Sequence, residues 1–112
     1  MPHYEERFTE SMTEEYKDVT FEKIWAFTID SVAEMGYVIS NMDKAGGFIY
    51  GAVPSSGFAW PEASELGIAI SIVIKDLKEK VVVKCQAEGK ISKTPSKVFE
   101  KFFNILKNKL RV

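Results

Sequence analysis

From Leu66 to Lys75 the chain alternates without a break. Leu66, Ile68, Ile70, Ile72 and Ile74 are interleaved with Gly67, Ala69, Ser71, Val73 and Lys75. Successive side chains of a strand point to opposite faces, so this run reads as a strand whose bulky row must be covered by an apolar layer. A chain of 112 residues has to supply that layer itself. At this length it forms one domain around one core. The alternation with one buried face also predicts an antiparallel sheet, because strands buried on both faces read as continuous apolar runs.

The covering layer is found in two helical stripes. Phe21, Ile24, Trp25, Thr28, Ile29 and Val32 share a face at 100° per residue, behind a Thr20 N-cap and ahead of Gly36, placed to end the helix. Val98, Phe99, Phe102, Phe103, Ile105, Leu106 and Leu110 form a second stripe, behind Thr94 and Pro95. Between the helices, Tyr37–Met42 and Phe48–Val53 read as strands joined by a turn at Gly46-Gly47, and Val81–Glu88 reads as a further alternating strand. The expected fold class is therefore α+β: a four-stranded antiparallel meander with two helices packed on one face, in the order α-β-β-β-β-α. Residues 20–112 form the single domain. Residues 1–19 form a polar N-terminal arm or short helix, in which Phe8, Met12 and Tyr16 are spaced by four.

The residues that carry chemistry are sparse. The one histidine, His3, is near the terminus and has no ligating neighbour, and no Cys-His or His-His pair has metal spacing. Cys85 alternates onto the inward side of its strand, where it acts as a small hydrophobe. Asp30 and Glu34, or Glu62 and Glu65, could pair for acid–base work, but nothing near them would raise a carboxyl pKa. The expectation is a protein that is not an enzyme, with no catalytic, metal-ligating or cofactor-binding residues and no cofactor. Charge is uneven: residues 1–76 hold 5 basic and 13 acidic side chains, and residues 77–112 hold 10 basic and 3 acidic. The halves are expected to neutralise each other when packed. With a pI near 5.9 and the aromatics of the last helix committed to the core, no nucleic-acid partner is expected. No apolar run reaches the length of a membrane span.

Two surfaces remain as candidates. Phe27 lies off the apolar face of its helix, and Phe58 and Trp60 sit in a proline-bounded loop, so these three are the candidate interaction surface for a protein partner or self-association. The small outward residues Gly67, Ala69 and Ser71 leave a smooth strip beside them. A groove between the last helix and the sheet, lined by Trp25, Tyr50 and Phe102, is the candidate ligand site.

The runs Tyr16–Trp25, Met35-Gly36-Tyr37-Val38-Ile39 and Asp43–Ile49 resemble a pattern of small bacterial envelope lipoproteins. In those, a helix ends in glycine and an aromatic residue before a strand and an Asp-containing turn. The element order is also similar to the helix-grip domains found in a lipoprotein of the β-barrel assembly machinery. The resemblance spans about residues 16–110 and implies a helix-grip-like fold and a place in the envelope. It carries over no functional residue, because its motifs are caps, turns and core positions. Residues 1–7 lack the apolar stretch of a signal peptide and no lipidation cysteine is near. A periplasmic or envelope location, with a lipid anchor, would thus require a leader ahead of this sequence; otherwise the location is cytoplasmic. The function expected is a non-catalytic protein-interaction module of the bacterial cell envelope. The alternative is a small-ligand-binding domain using the helix–sheet groove.

Overall fold

The computed structural model describes residues 7–52, 69–90 and 95–111. The elements run β1 (Arg7–Lys17), α1 (Phe21–Glu34), β2 (Val38–Asp43), β3 (Phe48–Ala52), β4 (Ala69–Asp76), β5 (Lys80–Lys90) and α2 (Pro95–Leu110). The class is α+β, as the sequence predicts, and the described residues form two helices. The sheet has five strands, not four, in the order β1-β5-β4-β3-β2, and every neighbouring pair is antiparallel. The added strand comes from the segment expected to be an arm or a short helix. It pairs with β5 over eleven residues, from Arg7 opposite Lys90 to Lys17 opposite Lys80. Strands β2 to β5 form the expected meander, and β1 extends it on the β5 side.

Local chemistry sets the ends of α1. The Thr20 hydroxyl accepts from the Lys23 N–H at 3.2 Å, and Glu22 places a negative charge in the first turn. Past Met35 the backbone turns left-handed at Gly36 (φ +94°), which ends the helix and delivers Tyr37 into the core. Two further glycines are set by close approach. Gly51 lies under α1, where a Cβ would stand 3.1 Å from Val32 Cγ1 and 3.2 Å from Tyr37 Cβ. Gly47 (φ +68°) brings its backbone against β4: its carbonyl accepts from the Ile74 N–H at 2.7 Å, and a Cβ there would run into the Ile74 carbonyl oxygen.

The core lies between the helices and one face of the sheet. Ile49, Ile70, Ile72, Ile74, Val81, Val83, Cys85 and Ala87 face Ile24, Val32, Val98, Phe102 and Leu106, all at or below 3% exposure. The expected bulky row of the third strand is buried at Ile70, Ile72 and Ile74; Leu66 and Ile68 lie outside the described residues. Within α1 the Thr28 hydroxyl is fully buried without a hydrogen-bond partner, whereas the Ser31 hydroxyl donates to the Phe27 carbonyl at 2.7 Å. Among the described residues two ion pairs join the acidic and basic parts of the chain, Lys80 to Glu15 at 3.0 Å and Lys109 to Glu34. Opposite charges thus meet within the packed molecule. Such exposed pairs contribute only about 0–1 kcal/mol each.

Candidate interaction surface

Because both described helices cover one face of the sheet, the other face is defined by the residues that alternate away from the core. Register arranges these in rows that cross the strands. Asp43, Phe48, Val73, Lys84 and Thr13 form one row, and Asn41, Tyr50, Ser71, Gln86 and Ser11 form the next. Lys75, Val82 and Glu15 form a third. Among the described residues no helix lies over these rows. The face is graded: Phe48, Tyr50 and Val73 cluster on β3 and β4, and the β5–β1 side carries Lys84, Gln86, Ser11 and Thr13, all exposed. Val38, opposite Ala52 at the far edge, is 54% exposed. Two half-buried aromatic rings and a β-branched neighbour on an uncovered sheet give this side a contact surface with a charged border of Asp43, Lys75, Lys84 and Glu15.

Of the residues singled out from the sequence, those that are described do not gather in one place. Phe27 is on the helix side of the sheet, half-buried, and packs against the edge of the core with the Lys23 ammonium 6.0 Å from its ring centroid. Phe58 and Trp60 lie outside the described residues, as does Gly67. Of the smooth strip, Ser71 is half-buried and Ala69 is 1% exposed. The groove residues are divided by the sheet. Trp25 and Phe102 belong to the helical layer and the core cluster, Phe102 with no exposed surface. Tyr50 sits opposite Ser71 on the uncovered face, one residue out of phase with the buried Ile49. Trp25 stacks instead on Phe21 at 5.9 Å between centroids. The signal that separates them is the period-2 pattern of the second predicted strand, in which Ile49 and Gly51 alternate with Phe48, Tyr50 and Ala52.

Titration behaviour follows burial. Cys85 is fully buried and its thiol is pushed well above the usual range by desolvation. Burial, then the nearby Cys85, raises Tyr37. Tyr16 is also raised, first by burial and then by Glu14, which accepts its hydroxyl at 3.0 Å. All three stay neutral at physiological pH, so none is an activated nucleophile or acid–base group. Among the described residues no group of three or more His, Cys, Asp or Glu side chains converges to hold a metal ion. None of the described helices is long and apolar enough to cross a membrane.

One concavity is lined by Phe21, Lys44, Gly47, Ile74, Lys75 and Leu77, at the end of the sheet where the β2–β3 turn meets the first turn of α1. The Lys44 ammonium is held there by Glu22 at 2.8 Å. A second runs along the exposed side of α2, past Glu100, Asn104 and Asn108. Neither lies between Trp25, Tyr50 and Phe102. Compared with known protein families the chain matches none, and no curated protein is similar enough to count as a relative.

Proposed function

We propose that the protein is a non-catalytic interaction module that engages a protein partner through the uncovered face of its sheet. The observation that carries this reading is the cluster of Phe48, Tyr50 and Val73, apolar side chains on a face over which no described helix packs. Large apolar groups presented on a flat sheet gain most when another protein removes them from water, and aromatic residues dominate such contacts. The non-catalytic part rests on the sequence, in which no His, Cys or carboxylate constellation has working spacing. The envelope setting rests on the resemblance of the cap-and-turn pattern alone. The small-ligand reading is less well supported, because the residues proposed to line its groove stand on opposite sides of the sheet.

The test is site-specific photo-crosslinking in the native cell, with the reactive group at Tyr50 and, as a control, at Asn104 on the exposed side of α2. A discrete adduct from Tyr50 and none from Asn104 is expected, and Val73→Lys should abolish it. Equal labelling at both positions, or an adduct that survives Val73→Lys in full, would remove the face from consideration.

A further inference from the structure

We propose that two copies of this chain join edge to edge through β1, antiparallel about a two-fold axis at Ser11, into one continuous ten-stranded sheet. This goes beyond the open-face reading and does not depend on it, since the contact is made by a strand edge.

The two edges of the sheet differ. The β2 edge is six residues long, and its register is broken by a bulge between Ile39 and Asn41. Short, irregular edges resist pairing with another chain. The β1 edge has eleven residues, no proline, and an unbroken register with β5. Among the described residues no strand pairs with its outer side.

The groups it offers can be counted. The Leu77 N–H donates to the Lys80 carbonyl at 2.9 Å, which makes that pair a hydrogen-bonded one. In an antiparallel ladder bonded and non-bonded pairs alternate. The odd residues of β4 therefore bond β5, and its even residues bond β3, in agreement with the Ile74 N–H donating to Gly47. Carrying the alternation on, Val81, Val83, Cys85 and Ala87 bond Tyr16, Glu14, Met12 and Glu10. The N–H and C=O groups of Arg7, Thr9, Ser11, Thr13, Glu15 and Lys17 then point to the vacant side. A second extended strand can satisfy them in order.

Charge selects both the occupant and the register. With the axis at Ser11, Arg7 stands opposite the partner's Glu15 twice over, and Thr9 opposite the partner's Thr13 twice over. Opposite charges and threonine pairs are favourable cross-strand neighbours. Moving the axis to Met12 sets Arg7 against the partner's Lys17 and Glu10 against the partner's Glu14, both repulsive. Moving it to Thr13 forms no opposite-charge pair at all. Directly opposed residues share a face, so both uncovered faces fall on the same side of the joined sheet and the described helices of both copies on the other.

The test is sedimentation equilibrium of the intact chain across the micromolar range. Wild type should show a reversible monomer–dimer equilibrium. Thr13→Pro removes an outward N–H and leaves the β1–β5 ladder intact, because proline is tolerated on the free side of an edge strand. It should be monomeric with a near-normal circular dichroism spectrum. Arg7→Glu alone should weaken the dimer by about tenfold, and adding Glu15→Gln, which relieves the new Glu–Glu repulsion without setting a second cation beside Lys80, should recover part of that loss. A wild-type chain that stays monomeric throughout overturns the inference, even if Tyr50 still crosslinks a different protein. So does a Thr13→Pro dimer of unchanged affinity, or an Arg7→Glu/Glu15→Gln double variant no tighter than Arg7→Glu alone.

Discussion

The two faces of this sheet are built by the same strands and differ in nearly everything else. On the helix side Ile49, Ile72 and Cys85 form a row with no exposed surface. One residue along, Phe48, Val73 and Lys84 form a row that no described helix covers, and exposure rises across it toward the lysine. The strand backbone is indifferent to which row is buried. Burial follows from where α1 and α2 lie down, and the helices choose the row of greatest apolar bulk because each buried aliphatic side chain contributes about 1.5–3 kcal/mol. The lesson is that a period-2 pattern identifies two faces but assigns them only once a covering layer is placed.

That contrast can be broken most forcefully on β4, where neighbouring residues belong to opposite faces. Ile72→Ala should cost roughly 2–5 kcal/mol in chemical denaturation, because the site is enclosed and cannot collapse fully. A loss below about 1 kcal/mol would mean that the covered face is not tightly packed.

The covered face should also make the fold sensitive to alkali. Tyr37 and Cys85 ionise less readily folded than unfolded. Their contribution is complete below the unfolded values, near 8.5 for cysteine and 10 for tyrosine, and is lost as pH rises through the raised folded values. The unfolding midpoint should therefore fall above about pH 9, and Cys85→Val should reduce the first part of that fall. A midpoint flat up to about pH 11 would show that these groups are solvated.

A smaller effect, of opposite sign, is expected inside the helical layer. Thr28→Val removes a buried hydroxyl that has no partner and keeps the shape, so it should stabilise by about 1 kcal/mol. A destabilised Thr28→Val variant would place a bound water or another donor at that hydroxyl. The smallest effect belongs to the open face. Val73→Ala should change stability by less than about 1 kcal/mol, within the span of strand propensity. A loss as large as that at Ile72 would mean that the two faces are equally covered.

Much of this fold can be read from residue order, and the misreadings have identifiable causes. Thr20 and Gly36 mark the ends of α1 because capping depends on a few adjacent backbone groups. The N-terminal strand escapes a reading by period because Phe8, Met12 and Tyr16 are four apart, and a spacing of four satisfies one face of a helix and one face of a strand alike. Glu10 and Glu14 lie between them, at register positions opposite Ala87 and Val83, and they interrupt the apolar alternation that would decide the matter. Size alone groups Tyr50 with Trp25 and Phe102, whereas its partner across the ladder, Ser71, shows that it belongs to the other side.

The sequence by itself determined the two described helices, the strands β2 to β5 and the two alternating faces of β4. Each of these depends on periodicity or on a cap that spans a few residues. Only the tertiary structure decided that β1 joins the sheet beside β5, more than sixty residues away, and which rows lie under the helices. Pairing at that distance depends on hydrogen bonds between backbone groups that every residue carries alike, so side-chain order along β1 could not specify it.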